Sequence, residues 1–468
     1  MSAQAEFVVE IQRKTNHSSA GMWILNQVGR NFFPFIIMIL GAAGNAVGAA
    51  FLPLFTGIAF DAALADPPNL NRILFAALMI IASQTTRAFL QFGRNFCSEL
   101  LGQRIERDSR EDLYISLLGK SMTFHGKQPV GDTMARATND VREMGLMFSP
   151  GVNLITGSSF FMLMPVIFAP RYHPSLILAP LMFVIFYILV LIRYMGTLQP
   201  IAQTARSAFG QMNGRLAEAL DGIEIVKATA TEQQEVNLFK TNATYYRDAV
   251  VHQGQVEARF LPLLLWGITN AAGLTHALIL FQNGLITIGD IIAYMGLLSL
   301  FGFPVFISIF AYSALARGFA GAQRVLELIN TETKLDENAS GHEANIQGAV
   351  TFKNVDFAYI EGKPVLENVS FDVQPGQTVA IVGQTGSGKS TLARLINRTY
   401  DPENGKVLVD GINVADWKLD SLRSQISIIE QDIFLFSRSI RENISFGNHE
   451  ATEKEIIEAS KAAQAHDF

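Results

Sequence analysis

Six apolar stretches, each near the roughly twenty helical residues needed to cross a hydrocarbon core about 30 Å thick, set the frame for this chain. They are residues 32–60, with no charge, about 73–92, with Arg87 as its one charge, 146–169, 175–192, 260–281 and 291–316. Asp290 stands where its carboxylate can cap the start of the sixth. Charged residues make up 17% of the chain, against roughly 25% in a soluble domain. With 34 Phe and 37 Gly, that deficit fits a membrane-embedded part joined to a soluble one. The first 30 residues are polar and lack the apolar core and small-residue cleavage site of a signal peptide, so insertion falls to the first span itself.

The connections between spans alternate in length and charge. Residues 61–72, 170–174 and 282–289 are short and hold only Arg72 and Arg171 as strong bases. The second-to-third connection carries eight bases from Arg94 to Arg142, and the fourth-to-fifth carries seven from Arg193 to Arg259. Excess positive charge stays on the cytoplasmic side, which puts the long connections and both termini there. Residues 97–118 and 209–246 mix apolar and charged positions at helical spacing with few breakers, so they read as membrane helices continuing into the cytoplasm. They reverse around 121–131 and 221–235. About 20 extra residues at 1.5 Å each would project some 30 Å beyond the bilayer, as struts able to carry motion.

Other features exclude function classes. A net charge of −6 gives no electrostatic case for nucleic acid. The single cysteine, Cys97, rules out an intrachain disulfide and reads as a packing residue. The eight histidines are scattered, with no metal-ligand spacing.

A polar linker over 330–348 introduces a different pattern of short strands, 350–357, 365–373, 378–382, 406–409 and 426–429. Between two of them, Gly383-Gln384-Thr385-Gly386-Ser387-Gly388-Lys389-Ser390 matches G-x-x-x-x-G-K-[ST], the phosphate-binding P-loop. The apolar run 378–383 leads in and a helix-like run, 390–397, leads out. Glycines let successive backbone N–H groups turn toward one point, and the helix N-terminus adds partial positive charge. Lys389 can reach the β- and γ-phosphates of ATP, and the Ser390 hydroxyl can hold Mg²⁺. A P-loop enzyme also needs an acidic residue on a second strand to complete the Mg²⁺ site. The strand ending in Asp410 comes too soon and leads into a Gly411 turn, so Asp410 reads as structural. Thr452 to Glu455 forms a capping-box pattern opening a last helix without a closing glycine, and the sequence reads as a catalytic domain cut short.

This arrangement resembles an ATP-binding cassette exporter in half-transporter form, from about Phe32 onward. Phe357-Ala358-Tyr359 is similar to the family's aromatic loop, Gly383 to Ser390 to its P-loop, and Ile429-Glu430-Gln431 to its glutamine loop. The runs from Phe124, Arg136 and Asp221 resemble its coupling segments, and Gly284 to Asp290 the start of its sixth helix. The resemblance implies a six-helix membrane domain with long cytoplasmic extensions, followed by a partial α/β P-loop nucleotide-binding domain. The divisions are residues 1–31 (cytoplasmic segment), 32–329 (membrane domain), 330–348 (linker) and 349–468 (incomplete cassette domain). It implies adenine stacking on Tyr359, a phosphate contact from Thr391, and Gln431 reaching Mg²⁺ and the attacking water. The family's signature loop, second acidic strand, catalytic glutamate and switch histidine do not occur in the sequence, so weak or no turnover is expected of Met1–Phe468 alone. Glu430 departs from the uncharged residue more usual before the glutamine. The expected partners are a lipid bilayer, that of the cell membrane, a second half-transporter identical or related, and a hydrophobic or amphipathic substrate. A nucleotide-gated channel or regulator, or a catalytically degenerate partner subunit, is the rival reading.

Polar groups within the spans are the candidates for lining a substrate cavity. A charge at a span's centre costs roughly 2.5–3.5 kcal/mol on insertion scales, and Arg87 is the one such charge in the second span. Asn45, Gln91, Asn270 and His276 join it, with interhelical hydrogen bonding as the competing role.

Overall fold

The computed structural model describes Glu6 and residues 16–333 and 335–467, which form two compact units. The helical unit holds residues 16–118 together with Gln128–Thr331. The other holds Glu6, Gly119–Lys127 and the described residues from Glu332 onward.

Among the described residues, six helical stretches are long and apolar enough to cross a membrane: Phe32–Leu64, Leu70–Leu118, Val130–Arg171, Pro174–Asp221, Glu232–Gln282 and Ile288–Asn330. Every apolar stretch singled out in the sequence lies inside one of them. The reason is local. A helix satisfies its own backbone hydrogen bonds, so an apolar run needs no distant partner to form one. In chain order the helices are α1 (Ala20–Arg30), α2 (Phe32–Leu64), α3 (Leu70–Leu118), α4 (Met122–Lys127), α5 (Val130–Ala135), α6 (Val141–Leu146) and α7 (Asn153–Phe168). They continue as α8 (Leu178–Asp221), α9 (Ile223–Thr229), α10 (Glu232–Ala258), α11 (Leu261–Gln282), α12 (Ile288–Ser299) and α13 (Gly302–Asn330). Helices α3 and α8 run far past their apolar parts, and the short α4 and α9 stand where the chain was expected to reverse.

The third stretch is not a plain helix. Two π-helical turns interrupt it at Arg136–Asp140 and Met147–Val152. Pro150 lacks the N–H a regular helix needs, and Ser149 beside it leaves helical geometry at φ −124°, ψ 103°. The start of the sixth is more elaborate than one capping carboxylate. The Thr287 hydroxyl accepts the Asp290 N–H at 3.1 Å while Asp290 accepts the Thr287 N–H at 2.9 Å, a capping box. Asp61, at the end of α2, accepts the Gly289 N–H at 2.8 Å and the Thr287 hydroxyl at 2.7 Å. Those bonds are possible because α2 and α12 touch through glycines. A Cβ on Gly57 would stand 2.3 Å from the Gly289 carbonyl oxygen, and one on Gly289 would stand 2.3 Å from the Gly57 oxygen. Cys97 is buried, as a packing residue should be.

In the other unit, strands β1 (Val350–Phe357), β2 (Leu366–Val373), β3 (Asn404–Val409) and β4 (Ile412–Asn413) form one antiparallel sheet in the order β2-β1-β3-β4. Asp410 and Gly411 turn β3 into β4 with φ of 51° and 80°, the geometry a two-residue hairpin requires. The Asp410 carboxylate also accepts the N–H groups of Gln347, Gly348 and Ala349 at 2.6, 3.0 and 2.9 Å, which fits its reading as a structural residue. Helices α14 (Lys389–Ile396), α15 (Leu419–Arg423), α16 (Ile440–Ile444) and α17 (Glu453–Ala462) are the remaining described α-helices, with the Thr452–Glu455 capping box at the start of α17. The core joins Phe352, Val355 and Phe357 of β1 with Leu395 of α14, Val407 and Trp417.

Two expected strands are not formed. Residues 378–382 and 426–429 have no strand pairing among the described residues. Val382 is 89% exposed and Ile429 98% exposed. Apolar character alone does not make a strand, because its backbone N–H and C=O groups need a neighbouring strand to bond.

Candidate functional site

The P-loop joins irregular backbone to α14. Gly386 and Gly388 take φ of +85° and +88°, which side chains avoid, and Gly388 also lacks room for one because a Cβ would stand 2.7 Å from Leu366 Cδ2. With Gly388 as its N-cap, α14 begins at Lys389. The Lys389 ammonium folds back over the loop, donating to the carbonyl oxygens of Gly383 at 3.1 Å and Gln384 at 2.8 Å. It makes no ion pair among the described residues. An ammonium held by carbonyls at a helix N-terminus, over glycines that free their amides, is a donor set that fits a phosphate chain. Thr385, Ser387 and Ser390 are exposed around it, while Thr391 is buried at its base.

Tyr359 stands against the same helix. Its Oη lies 3.0 Å from Thr391 Oγ1, and its ring meets Phe357 and Tyr400 edge to face at 4.8 and 5.2 Å. Two of the expected nucleotide contacts, Tyr359 and Thr391, are thus hydrogen-bonded to one another. Gln431 is exposed on an irregular stretch and shares no hydrogen bond with Ser390 among the described residues. Its neighbour Glu430, which had no account from sequence, accepts from Arg394 Nη2 of α14 at 3.3 Å. That bond, with a smaller contribution from Tyr359, raises the Arg394 guanidinium above its ordinary pKa. Ser390 and Gln431 supply oxygen donors of the kind a hard cation such as Mg²⁺ takes. Among the described residues no cluster of His, Cys, Asp or Glu offers another metal site.

The helical unit holds a cavity of about 680 Å³. Three of the five span residues expected to line one meet there. Asn45 donates to Gln91 Oε1 at 2.6 Å, and Arg87 Nε donates to Asn45 Oδ1 at 3.4 Å. The other two do not line it. Asn270 donates to the Trp266 carbonyl of its own helix at 2.8 Å, and His276 Nε2 lies 3.1 Å from Ser175 Oγ. Reading the sequence alone missed Arg94, assigning it to the inner connection with the other bases. It is 3% exposed and lines the cavity. Spacing could have found it, since Arg87, Gln91 and Arg94 fall at i, i+4 and i+7 on one helix face.

Comparison with known proteins decides the family. The ABC transporter transmembrane region family matches residues 35–305, and the ABC transporter family matches residues 366–468. The chain belongs to the ABC transporters. It is 33% identical over 380 residues to YknV, an uncharacterized ABC transporter ATP-binding protein of Bacillus subtilis, covering 79% of this chain and 61% of that protein. It is 30% identical over 451 residues to the ATP-dependent lipid A-core flippase of Syntrophus aciditrophicus, covering 92% of this chain and 71% of the flippase. The solved structure of a bacterial Atm1-family ABC exporter with ATP bound aligns with a TM-score of 0.74 at 26% identity, covering 94% of this chain and 78% of that one. This ABC transporter chain therefore spans 61–71% of the length of those two relatives. Its architecture is the exporter one: six apolar helical stretches followed by a small sheet-containing nucleotide-binding region.

Proposed function

We propose that the protein is one half of an ATP-driven exporter of hydrophobic or amphipathic substrates. The observation that carries this is the P-loop, with its Lys389 ammonium held over the loop by carbonyls, in one chain with six membrane-length helices. Lys389 and the loop amides grip the phosphates, Tyr359 offers its ring to adenine, and Thr391 supports both by its bond to Tyr359 Oη. Ser390 and Gln431 would hold Mg²⁺, which would supply positive charge to offset that of the phosphates. The nucleotide unit and N-terminus lie in the cytoplasm, by the charge of the long connections, with the spans in the cell membrane. Two such chains, identical or related, pair so that ATP draws the nucleotide units together. The long helices then turn a substrate cavity from one side of the membrane to the other. The likeness to a lipid A-core flippase and to an ABC exporter with ATP bound supports this reading.

Transport in inside-out vesicles carrying the full-length protein tests it. ATP should drive uptake of a labelled amphipath, and Lys389→Ala should abolish that uptake. An ATP-gated ion conductance with no uptake would favour a nucleotide-gated channel instead.

A further inference from the structure

The helical cavity has an unbalanced charge. Arg87 and Arg94 both line it from one face of α3, seven residues apart. Neither makes an ion pair among the described residues. Their partners are neutral oxygens. Arg94 donates from Nε to Asn153 Oδ1 at 2.6 Å, from Nη2 to the Asn153 carbonyl at 2.5 Å and from Nη1 to Gln91 Oε1 at 3.4 Å. Arg87 donates to Asn45 Oδ1 and, at 3.2 Å, to Gln84 Oε1, with its guanidinium 5.8 Å from the centre of the Phe161 ring. Such bonds fix the direction of a guanidinium and leave its charge uncompensated. Each guanidinium carries five N–H donors, so both keep some for a further acceptor.

The site is built to hold Arg94. A Cβ on Gly157 would stand 2.3 Å from Arg94 Nη2 and 2.8 Å from Cζ, so the group lies flat against α7 only because residue 157 is glycine. A charge buried among apolar helices is costly without a counter-charge. Glu99, the acid on the cavity wall, does not supply one to either arginine. It accepts from Ser149 Oγ at 2.8 Å and Gln103 Nε2 at 2.9 Å, is exposed, and lies about 7.5 Å along α3 from Arg94 at 1.5 Å per residue. Leu154, Phe161 and Phe303 give the cavity an apolar wall beside the two arginines.

We infer that this cavity binds an anionic amphipath, with a phosphate, sulfate or carboxylate head on Arg87 and Arg94 and an apolar body on Phe161, Leu154 and Phe303. The inference rests on the exporter reading for its purpose, since it names the substrate class, but it is tested without transport. Such a ligand has two sources, a lipid headgroup or a soluble organic anion.

The test uses full-length protein in phosphatidylcholine nanodiscs, with binding measured by microscale thermophoresis for dodecyl phosphate, dodecyltrimethylammonium and phenyl phosphate. ATP binding is scored separately on the same samples. Dodecyl phosphate should bind at least about tenfold more tightly than the ammonium probe, the weight of one charge-assisted hydrogen bond. Arg94→Gln should remove that preference. Because Arg94 is packed against Gly157, Arg87→Gln and Glu99→Gln provide independent checks: the first should weaken dodecyl phosphate binding and the second strengthen it. Tight phenyl phosphate binding would assign the site to soluble anions, and its failure beside tight dodecyl phosphate binding would assign it to lipid-like ones. Equal affinity for the phosphate and ammonium probes, or phosphate binding indifferent to Arg87→Gln and Glu99→Gln, overturns the inference and leaves the nucleotide reading standing. Loss of ATP binding with the anion preference intact does the reverse.

Discussion

The two units of the chain are held together in different ways. In the helical unit each long helix satisfies its own backbone, and neighbours are drawn close where glycine removes a side chain, as at Gly57 and Gly289. In the nucleotide unit an antiparallel sheet and α14 close on one apolar core, with Trp417 1% exposed at its centre. The first kind of structure is assembled from segments that exist alone. The second exists only where strands have partners, which is why residues 378–382 remain irregular beside a well-formed β1.

Removing the core from under the sheet should have the largest effect. Trp417→Ala should cost the nucleotide unit about 3–5 kcal/mol, read as an early unfolding transition that leaves the helical signal in place. Trp417→Phe should cost far less, since the indole Nε1 is buried with no partner and its loss removes a penalty. If both variants melt alike, the ring's packing is not what holds this unit. Next, Gly289→Val should drive a side chain into the Gly57 carbonyl and Asp61. It should cost about 1–3 kcal/mol, measured as a lower melting temperature of the helical unit, with ATP affinity unchanged. An unshifted transition would mean α2 and α12 do not depend on close approach. The smallest effect belongs to the surface. Glu430→Gln should change stability by no more than about 1 kcal/mol, because the Arg394 pair is largely solvated. A larger loss would make that pair a structural lock between α14 and the glutamine loop.

The same contrast governs what could be read from the sequence. The spans were legible because twenty apolar residues leave a chain few alternatives to a helix. The P-loop was legible because Gly386, Gly388 and Lys389 have a spacing set by backbone geometry rather than by distant contacts. Strands 350–357 and 406–409 were found, yet equally apolar runs at 378–382 and 426–429 did not pair, since pairing depends on residues far away in the chain. The cavity was half legible. Asn45, Arg87 and Gln91 stood out as polar groups in apolar spans, but Arg94 lay just past the apolar run and passed for a cytoplasmic base. Asn270 and His276 looked equivalent to the others in sequence, and only packing separates a bond within one helix, as at Asn270, or between helices, as at His276, from a cavity wall.

The proposed nucleotide-driven export rests above all on a phosphate grip by one loop. Titrating Mg²⁺-ATP into nanodisc-embedded protein by isothermal calorimetry, wild type beside Lys389→Ala, tests that grip directly. Removing a charge-assisted contact should weaken binding by at least about tenfold, with the protein's melting profile unchanged. Equal affinities in the two proteins would contradict it.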